Sequence, residues 1–99
     1  MLYASLKTNY KLTLKQVKMI NEKINELCHL FFEKNNIMIH MEDDQMMYVN
    51  GQEIKCMIIH VFVDDLINDE KFRHTLIEMI CQITHIKYEN IHILYHQNQ

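Results

Sequence analysis

Two stretches of the chain repeat one layout, in which an extended segment is followed by a long amphipathic segment and then by a second extended segment. The closing segments are "NNIMIHMEDD" in the middle of the chain and "ENIHILYHQN" at its end. Each places an Asn before an Ile-x-Ile alternation, a pattern that is typical of a strand. A β-α-β unit written twice restricts the fold strongly, because each helix must cross between two parallel strands.

The two amphipathic segments predict two helices. The first runs from about Thr13 to Lys34, and Thr13 and Gln16 have the spacing of a capping box. The second runs from about Asn68 to His85, and acidic residues in its first turn, at positions 69 and 70, suit the positive end of the helix dipole. The apolar stripe of the first helix consists of Val17, Ile20, Ile24, Leu27 and Phe31. The apolar stripe of the second consists of Phe72, Leu76, Met79, Ile80 and Ile83.

The remaining segments predict four strands and one hairpin. The strands are "LYASLK", "NIMIHM", "IKCMIIHVFV" and "NIHILYH". Asn50-Gly51, between the two halves, is a strong hairpin signal because both residues tolerate positive φ. We therefore predict an α+β fold, a single domain over residues 1–99, with pseudo-repeats at about 1–42 and 53–97. The duplicated β-α-β units form one four-stranded mixed sheet with two helices on one face, plus the inter-half hairpin.

The strand "IKCMIIHVFV" is mostly apolar on both of its faces. One face carries Ile54, Cys56, Ile58, His60 and Phe62. The other carries Lys55, Met57, Ile59, Val61 and Val63. Strands of this kind are usually covered on both sides, and two helices on one face leave the other face bare. We therefore predict an oligomer in which a second copy of the chain covers it.

Composition excludes several classes of partner and site. A net charge of −3 and a pI near 6.1 argue against nucleic-acid binding. The apolar run "CMIIHVFV" is too short to span a bilayer, and the N-terminal segment lacks the layout of a secretory signal. Cys28, Cys56 and Cys81 are an odd number of cysteines inside apolar runs, which favours buried reduced thiols. We predict a cytoplasmic protein with no nucleic-acid or membrane partner.

The seven histidines and the acidic clusters do not form a recognisable catalytic or metal motif. His92 and His96 share a strand face but lie roughly 13 Å apart at about 3.3 Å per residue, and His40 and His60 lie on other strands. No HExxH motif or Cys/His cluster is present, so we predict no metal and no other cofactor. The acidic clusters at 42–44 and 64–65 follow strands, where turns usually collect acids.

The segments "NIMIHMEDDQMMYVNG", "CMIIHVFVDD" and "NIHILYH" resemble the tautomerase superfamily, which includes macrophage migration inhibitory factor (MIF). Asp44-Gln45, Met47 and Gly51 are similar to that superfamily's strand and loop between the halves. The stretch from Asn36 to His96 is similar to an uncharacterised, tautomerase-like bacterial branch. The resemblance implies a homotrimer in which three sheets surround a central barrel and the helices face outward.

The resemblance also bears on chemistry. In active members, an N-terminal proline exposed by removal of the initiator Met is the catalytic base, because its amine has a near-neutral pKa. This chain has Leu2 and no proline, so we expect little or no proline-based tautomerase activity and instead ligand or partner binding at subunit interfaces. The implied ligand is a small carbonyl or carboxylate compound. The implied pocket residues are Met1, Lys34, Asp64 and His92, and His92 stands where cytokine-like members place a pocket Tyr.

Two other functions also fit the sequence. The first is an active keto-enol tautomerase that uses the Met1 amine as its base, with Lys34 or Lys7 near the ends of elements where a substrate carboxylate is bound. The second is a ferredoxin-like regulatory, ligand-binding module, since β-α-β-β-α-β also describes that fold. Ferredoxin-like modules are usually dimers, so the mass in solution separates this reading from a trimer.

Overall fold

A computed structural model describes residues 2–32, 36–64 and 69–98 of the chain. The elements are β1 (Leu2–Thr8), α1 (Leu14–Phe32), β2 (Ile37–Glu42), β3 (Met57–Val63), α2 (Glu70–Thr84) and β4 (Ile91–Gln97). The strands form one sheet in the order β2-β1-β3-β4. Strands β1 and β2 are parallel, β3 and β4 are parallel, and β1 and β3 are antiparallel. The predicted α+β fold with a four-stranded mixed sheet is confirmed.

Each helix connects two strands that lie next to each other in the sheet. In a ferredoxin-like arrangement, the β-α-β units are split, so that a strand of the other half lies between the two strands of each unit. Here β1 neighbours β2 and β3 neighbours β4. The strand order therefore contradicts the ferredoxin-like alternative.

Helix α1 begins at the predicted capping box. The backbone N–H of Gln16 donates to Thr13 Oγ1 at 3.1 Å, and the N–H of Thr13 donates to Gln16 Oε1 at 2.9 Å. These bonds satisfy two of the N–H groups that lack partners within the helix. The buried residues of α1 are Ile20, Ile24, Leu27 and Cys28. Lys34, the predicted end of the helix, lies outside the described residues.

Helix α2 begins at Glu70, two residues after its predicted start at about Asn68. Asp69 has an extended backbone and is the N-cap, because its side chain accepts a hydrogen bond from the N–H of Phe72 at 2.9 Å. The helix ends at His85, which has a left-handed backbone (φ 63°) and donates its N–H to the carbonyl of Cys81. Ile77 is buried although the predicted stripe omits it, and Met79 and Ile83 are partly buried. Asn68 lies outside the described residues.

The core lies between the two helices and one face of the sheet. Its centre is Phe72, which is fully buried and packs against the rings of Phe31 at 5.5 Å and Phe32 at 4.8 Å. Burying a side chain of this size contributes about 1.5–3 kcal/mol. The sheet supplies Leu2, Ala4, Leu6, Met57, Ile59, Val61, Val63, Ile91 and Ile93 to this core.

Strand β3 is shorter than the predicted "IKCMIIHVFV" and begins at Met57 rather than Ile54. The reason is that the side chain of Asn9, which directly follows β1, hydrogen-bonds to backbone groups of the segment that precedes β3. Asn9 Nδ2 donates to the carbonyls of Met47 and Ile54 at 3.0 and 2.7 Å, and Asn9 Oδ1 accepts from the N–H of Cys56 at 3.1 Å. These bonds replace a strand ladder and anchor the connection between the halves.

The predicted hairpin turn is present at Asn50-Gly51. Val49 and Gln52 exchange both backbone hydrogen bonds, at 2.9 and 3.0 Å. Asn50 and Gly51 both have positive φ, at 52° and 75°, as a tight two-residue hairpin turn requires. The pairing stops at this single bridge, so the hairpin adds no strands to the sheet.

Candidate functional site

The candidate site is the face of the sheet that the helices do not cover, and we call it the open face. Its side chains come from alternate positions of the four strands and form three rows across the sheet. In the strand order β2-β1-β3-β4, the rows are Met38-Tyr3-Phe62-His96, His40-Ser5-His60-Leu94 and Glu42-Lys7-Ile58-His92.

The open face carries exposed or partly exposed apolar side chains on three of its four strands. Met38 is 53% exposed and Leu94 is 45% exposed, while Ile58 and Phe62 are partly exposed. By contrast, the β3 residues that alternate with Ile58 and Phe62 are at most 2% exposed. The described residues therefore leave the second face of β3 uncovered, as the two-sided apolar pattern predicts.

Four aromatic rings contact one another at one end of the open face. The Phe62 ring stacks on His96 with centroids 4.6 Å apart, and it contacts Tyr3 at 5.5 Å. The His60 and His96 rings are 4.9 Å apart, and His60 Nδ1 lies 2.7 Å from His96 Nε2, within hydrogen-bonding distance. The sequence pattern alone does not predict this pair. The pair becomes predictable only when the parallel register of "MIIHVFV" with "IHILYHQ" is known, because that register brings position 60 near position 96.

The surroundings of the open face shift the pKa of two groups. Burial lowers the pKa of His60, and the nearby His96 and Lys7 lower it further, which favours the neutral ring. A hydrogen bond of 2.7 Å from His40 Nε2 holds the pKa of Glu42 below its usual range. Lys7 and the charge on His40 act on Glu42 in the same direction.

Of the four predicted pocket residues, the structure describes Asp64 and His92, and it does not bring these two together within one chain. Met1 and Lys34 lie outside the described residues. Asp64 follows the end of β3, and its Oδ1 accepts a hydrogen bond from Asn98 Nδ2 at 3.1 Å. His92 is exposed near the start of β4, opposite Ile58. Since β3 and β4 are parallel, the six residues from 58 to 64 separate Asp64 from His92 by about 20 Å.

The other candidate side chains have structural partners or lie elsewhere. Lys7 is in the same row as His92, at the end of β1 that is far from Leu2. Asp43 Oδ2 accepts from the N–H of Leu12 at 2.9 Å. Asp44 has a left-handed backbone (φ 56°), and its N–H donates to the carbonyl of Tyr10 at 3.1 Å. These two acids shape a turn, and position 65 lies outside the described residues.

The cysteines provide no activated thiol. Cys28 and Cys56 are buried, Cys81 is partly buried, and all three are free. Burial raises the pKa of Cys28 to about 12, so its thiol stays protonated. Within the described ranges, no three His, Cys, Asp or Glu side chains are grouped to hold a metal ion. No described helix is long and apolar enough to cross a membrane.

A cavity of about 370 Å³ lies at the end of the sheet opposite Asp64, between the hairpin turn and the connection from α2 to β4. Asn50, Lys55, His85 and Lys87 are among the residues that line it. Neither Asp64 nor His92, the predicted pocket residues that the structure describes, is among them. This cavity therefore does not correspond to the site that the sequence resemblance implies.

Solved structures of the MIF family share this fold. MIF2 of Leishmania major has a TM-score of 0.89 at 14% identity, over 99% of this chain and 89% of that chain. MIF of Trichinella spiralis has a TM-score of 0.82 at 14% identity, over 98% and 89%. A MIF homologue of Prochlorococcus marinus has a TM-score of 0.84 at 12% identity, over 97% and 88%. No protein-family model and no curated protein sequence matches the chain. The chain thus has the tautomerase/MIF superfamily fold, as its sequence predicts.

Proposed function

We propose that this chain is a tautomerase-like protein that assembles through its open face into a homotrimer and binds a ligand or partner at the subunit interfaces. The open face carries this proposal, because it combines Ile58, Phe62 and Leu94 on a surface that one chain leaves uncovered. A sheet face that leaves several apolar side chains uncovered is a candidate interaction site. A trimer in which three sheets surround a central barrel would bury it.

The proposed protein lacks proline-based tautomerase chemistry. The chain contains no proline, and position 2 is occupied by a fully buried Leu. The N–H of Leu2 donates to the carbonyl of Asn36 at 3.0 Å, which ties this position to the segment before β2. The Met1 amine is the candidate base for residual activity, but an open-chain amine is positioned less firmly than a ring-locked one.

The proposed ligand is a small carbonyl or carboxylate compound. Tyr3 pairs with Phe62, so the beginning of β1 lies beside the end of β3 and beside Asp64. In the proposed pocket, the Met1 amine and Lys34 would hold the carboxylate, with Asp64 at the rim. His92 lies at the other end of its own sheet and would therefore reach the pocket from a neighbouring copy.

An enzyme assay tests the chemical part of this proposal. With phenylpyruvate as substrate, the wild-type protein should accelerate enol-keto conversion little or not at all. Chemical blocking of the Met1 amine should reduce any residual rate to that of heat-unfolded protein, which serves as the blank. Efficient turnover that disappears when the amine is blocked would instead establish the active tautomerase.

A complementation experiment tests the shared pocket. Lys34→Gln and His92→Gln should each weaken phenylpyruvate binding, measured by calorimetry. If the two residues come from different copies, mixed oligomers formed by refolding both variants together contain some intact pockets and recover part of the binding. Failure to recover any binding would contradict a pocket shared between copies. His74→Gln, on the exposed side of α2, is the matched control.

We further propose that the protein works in the cytoplasm. Three free cysteines in a small domain, with none paired, suit a reducing compartment. We also propose a bacterial source for the protein, because its sequence resembles a bacterial branch of the superfamily. Cell fractionation of the source organism tests the location directly.

A further inference from the structure

The His60–His96 pair couples two neighbouring strands on the open face. His60 is in β3, His96 is in β4, and Nδ1 of the first lies 2.7 Å from Nε2 of the second. The rings are inclined by 28°, and Phe62 stacks on His96 with an interplanar angle of 18°. A hydrogen bond between two imidazole nitrogens needs one N–H and one lone pair, so at least one of the rings must be neutral.

The groups that face this pair give little compensation for a positive charge. Strand β1 contributes Lys7, which is itself cationic and acts on His60 in the direction that disfavours protonation. Strand β2 contributes His40 and Glu42, which are hydrogen-bonded to each other at 2.7 Å. Strand β4 contributes His92 in addition to His96. Two described carboxylates lie near the pair's face: Glu42, which His40 engages, and Asp64, which follows Phe62 by two positions and accepts a hydrogen bond from Asn98 at 3.1 Å.

We infer that the His60–His96 pair makes self-assembly pH-dependent, with copies held together while the pair is neutral and released when it is protonated. This inference rests on the proposed assembly through the open face. One proton would place a cation beside Phe62 in a surface that assembly removes from water, which is unfavourable without a paired anion. A second proton would turn both facing nitrogens into donors and break the hydrogen bond.

The pH dependence has a defined sign. Burial lowers the pKa of His60, and assembly would bury the ring further, so the separated copies bind protons more readily than the assembled ones. Assembly is therefore unaffected at a pH well above the ordinary histidine value of 6.5 and weakens as the pH falls below it. If one proton per copy is taken up on dissociation, the association constant falls by up to about ten-fold per copy for each pH unit.

Light scattering and sedimentation at about pH 8 and about pH 5 test this inference. The wild type should be oligomeric at the higher pH and should dissociate at the lower pH, with circular dichroism showing that the separated chains stay folded. An oligomer of equal stability at both pH values would overturn the pH inference and leave the proposed assembly intact. A monomer at the higher pH would overturn both.

Substitutions assign the effect to this pair. In the double variant His60→Gln and His96→Gln, both side chains stay neutral at every pH and can still hydrogen-bond, so assembly should no longer respond to pH. His74→Gln, a histidine on α2 away from the sheet, should keep the wild-type response. A double variant that still dissociates in acid would contradict the assignment.

A measurement on the wild type does not depend on how the double variant folds. NMR titration of the ring protons should give a lower pKa for His60 in the assembled wild type than in the wild type diluted until it is monomeric. Equal values in the two states would overturn the inference, because assembly would then not discriminate between the two protonation states.

Discussion

The two faces of the sheet are built from alternating residues of the same strands, but they differ in chemistry. On the covered face, Leu6, Ile59 and Ile93 are at most 3% exposed and pack under two helices. On the open face, apolar residues alternate with histidines across the rows, and Leu94 stays 45% exposed. The covered face stabilises a single chain. In our proposal, the open face gains its contacts from another copy of the chain, and its histidines make that gain sensitive to pH.

The strongest way to break this comparison is to place a charge on the covered face. Ile59→Asp puts a carboxylate at a position that is fully buried within one chain. We expect a loss of unfolding free energy on the order of 4 kcal/mol or more, because no partner compensates the buried charge. Urea denaturation followed by circular dichroism measures it. Near-wild-type stability would show that the covered face is not the core.

The matched substitution one residue earlier addresses the open face. Ile58→Asp should leave the monomer folded, since Ile58 points away from the helices and is only partly buried. It should weaken assembly by about 3 kcal/mol per interface, which is about 100-fold in affinity. Sedimentation velocity with a circular dichroism check distinguishes these outcomes. A variant that assembles like the wild type would mean that the open face is not the interface.

A smaller change sharpens the comparison by acting on the covered layer alone. Asp69→Ala removes the side chain that caps α2 through the N–H of Phe72, and it should cost about 1 kcal/mol of stability. Asp69→Asn, which can still cap, should cost less. Thermal unfolding measures both variants. The dissociation constant of the oligomer should not change. A change would mean that the stability of the helix layer affects assembly through the open face, which contradicts the separation of the two faces.

The smallest expected effect comes from the edge of the open face. The hydrogen bond from His40 holds the pKa of Glu42 below its ordinary value of 4.5, so the ionised form is favoured in the folded state. The resulting stabilisation is present above that value and is lost as the pH falls through the folded pKa. Glu42→Gln should therefore flatten the acid side of the stability profile slightly. If chemical denaturation gives the same profile for the variant and the wild type, the His40–Glu42 hydrogen bond does not contribute to stability.

The elements that were predictable from the sequence are those that short-range rules determine. The capping box of Thr13 and Gln16 and the turn at Asn50-Gly51 depend on residues within four positions of one another. The alternation in β3 likewise determines which side chains share a face. The start of β3 was not predictable in the same way, because Asn9 reaches across more than forty positions to bind the backbone at Ile54 and Cys56.

The candidate site was less predictable, since it depends on the register between distant strands. His60 and His96 are brought together by the pairing of β3 with β4, which no local pattern specifies. The same register separates Asp64 from His92 within one chain, although both are implied for one pocket. A site that joins them requires a second copy. The sequence can name the residues of such a site, but only the assembly geometry can bring them together.

The mass of the wild-type protein in solution tests the central claim most directly. The claim is that the open face is an interface between copies of this chain. Light scattering at micromolar concentration and about pH 8 should give a single species of three times the 12.1 kDa chain mass. A monodisperse species of one chain mass under the same conditions would contradict the claim, because the apolar rows of the open face would then remain in water.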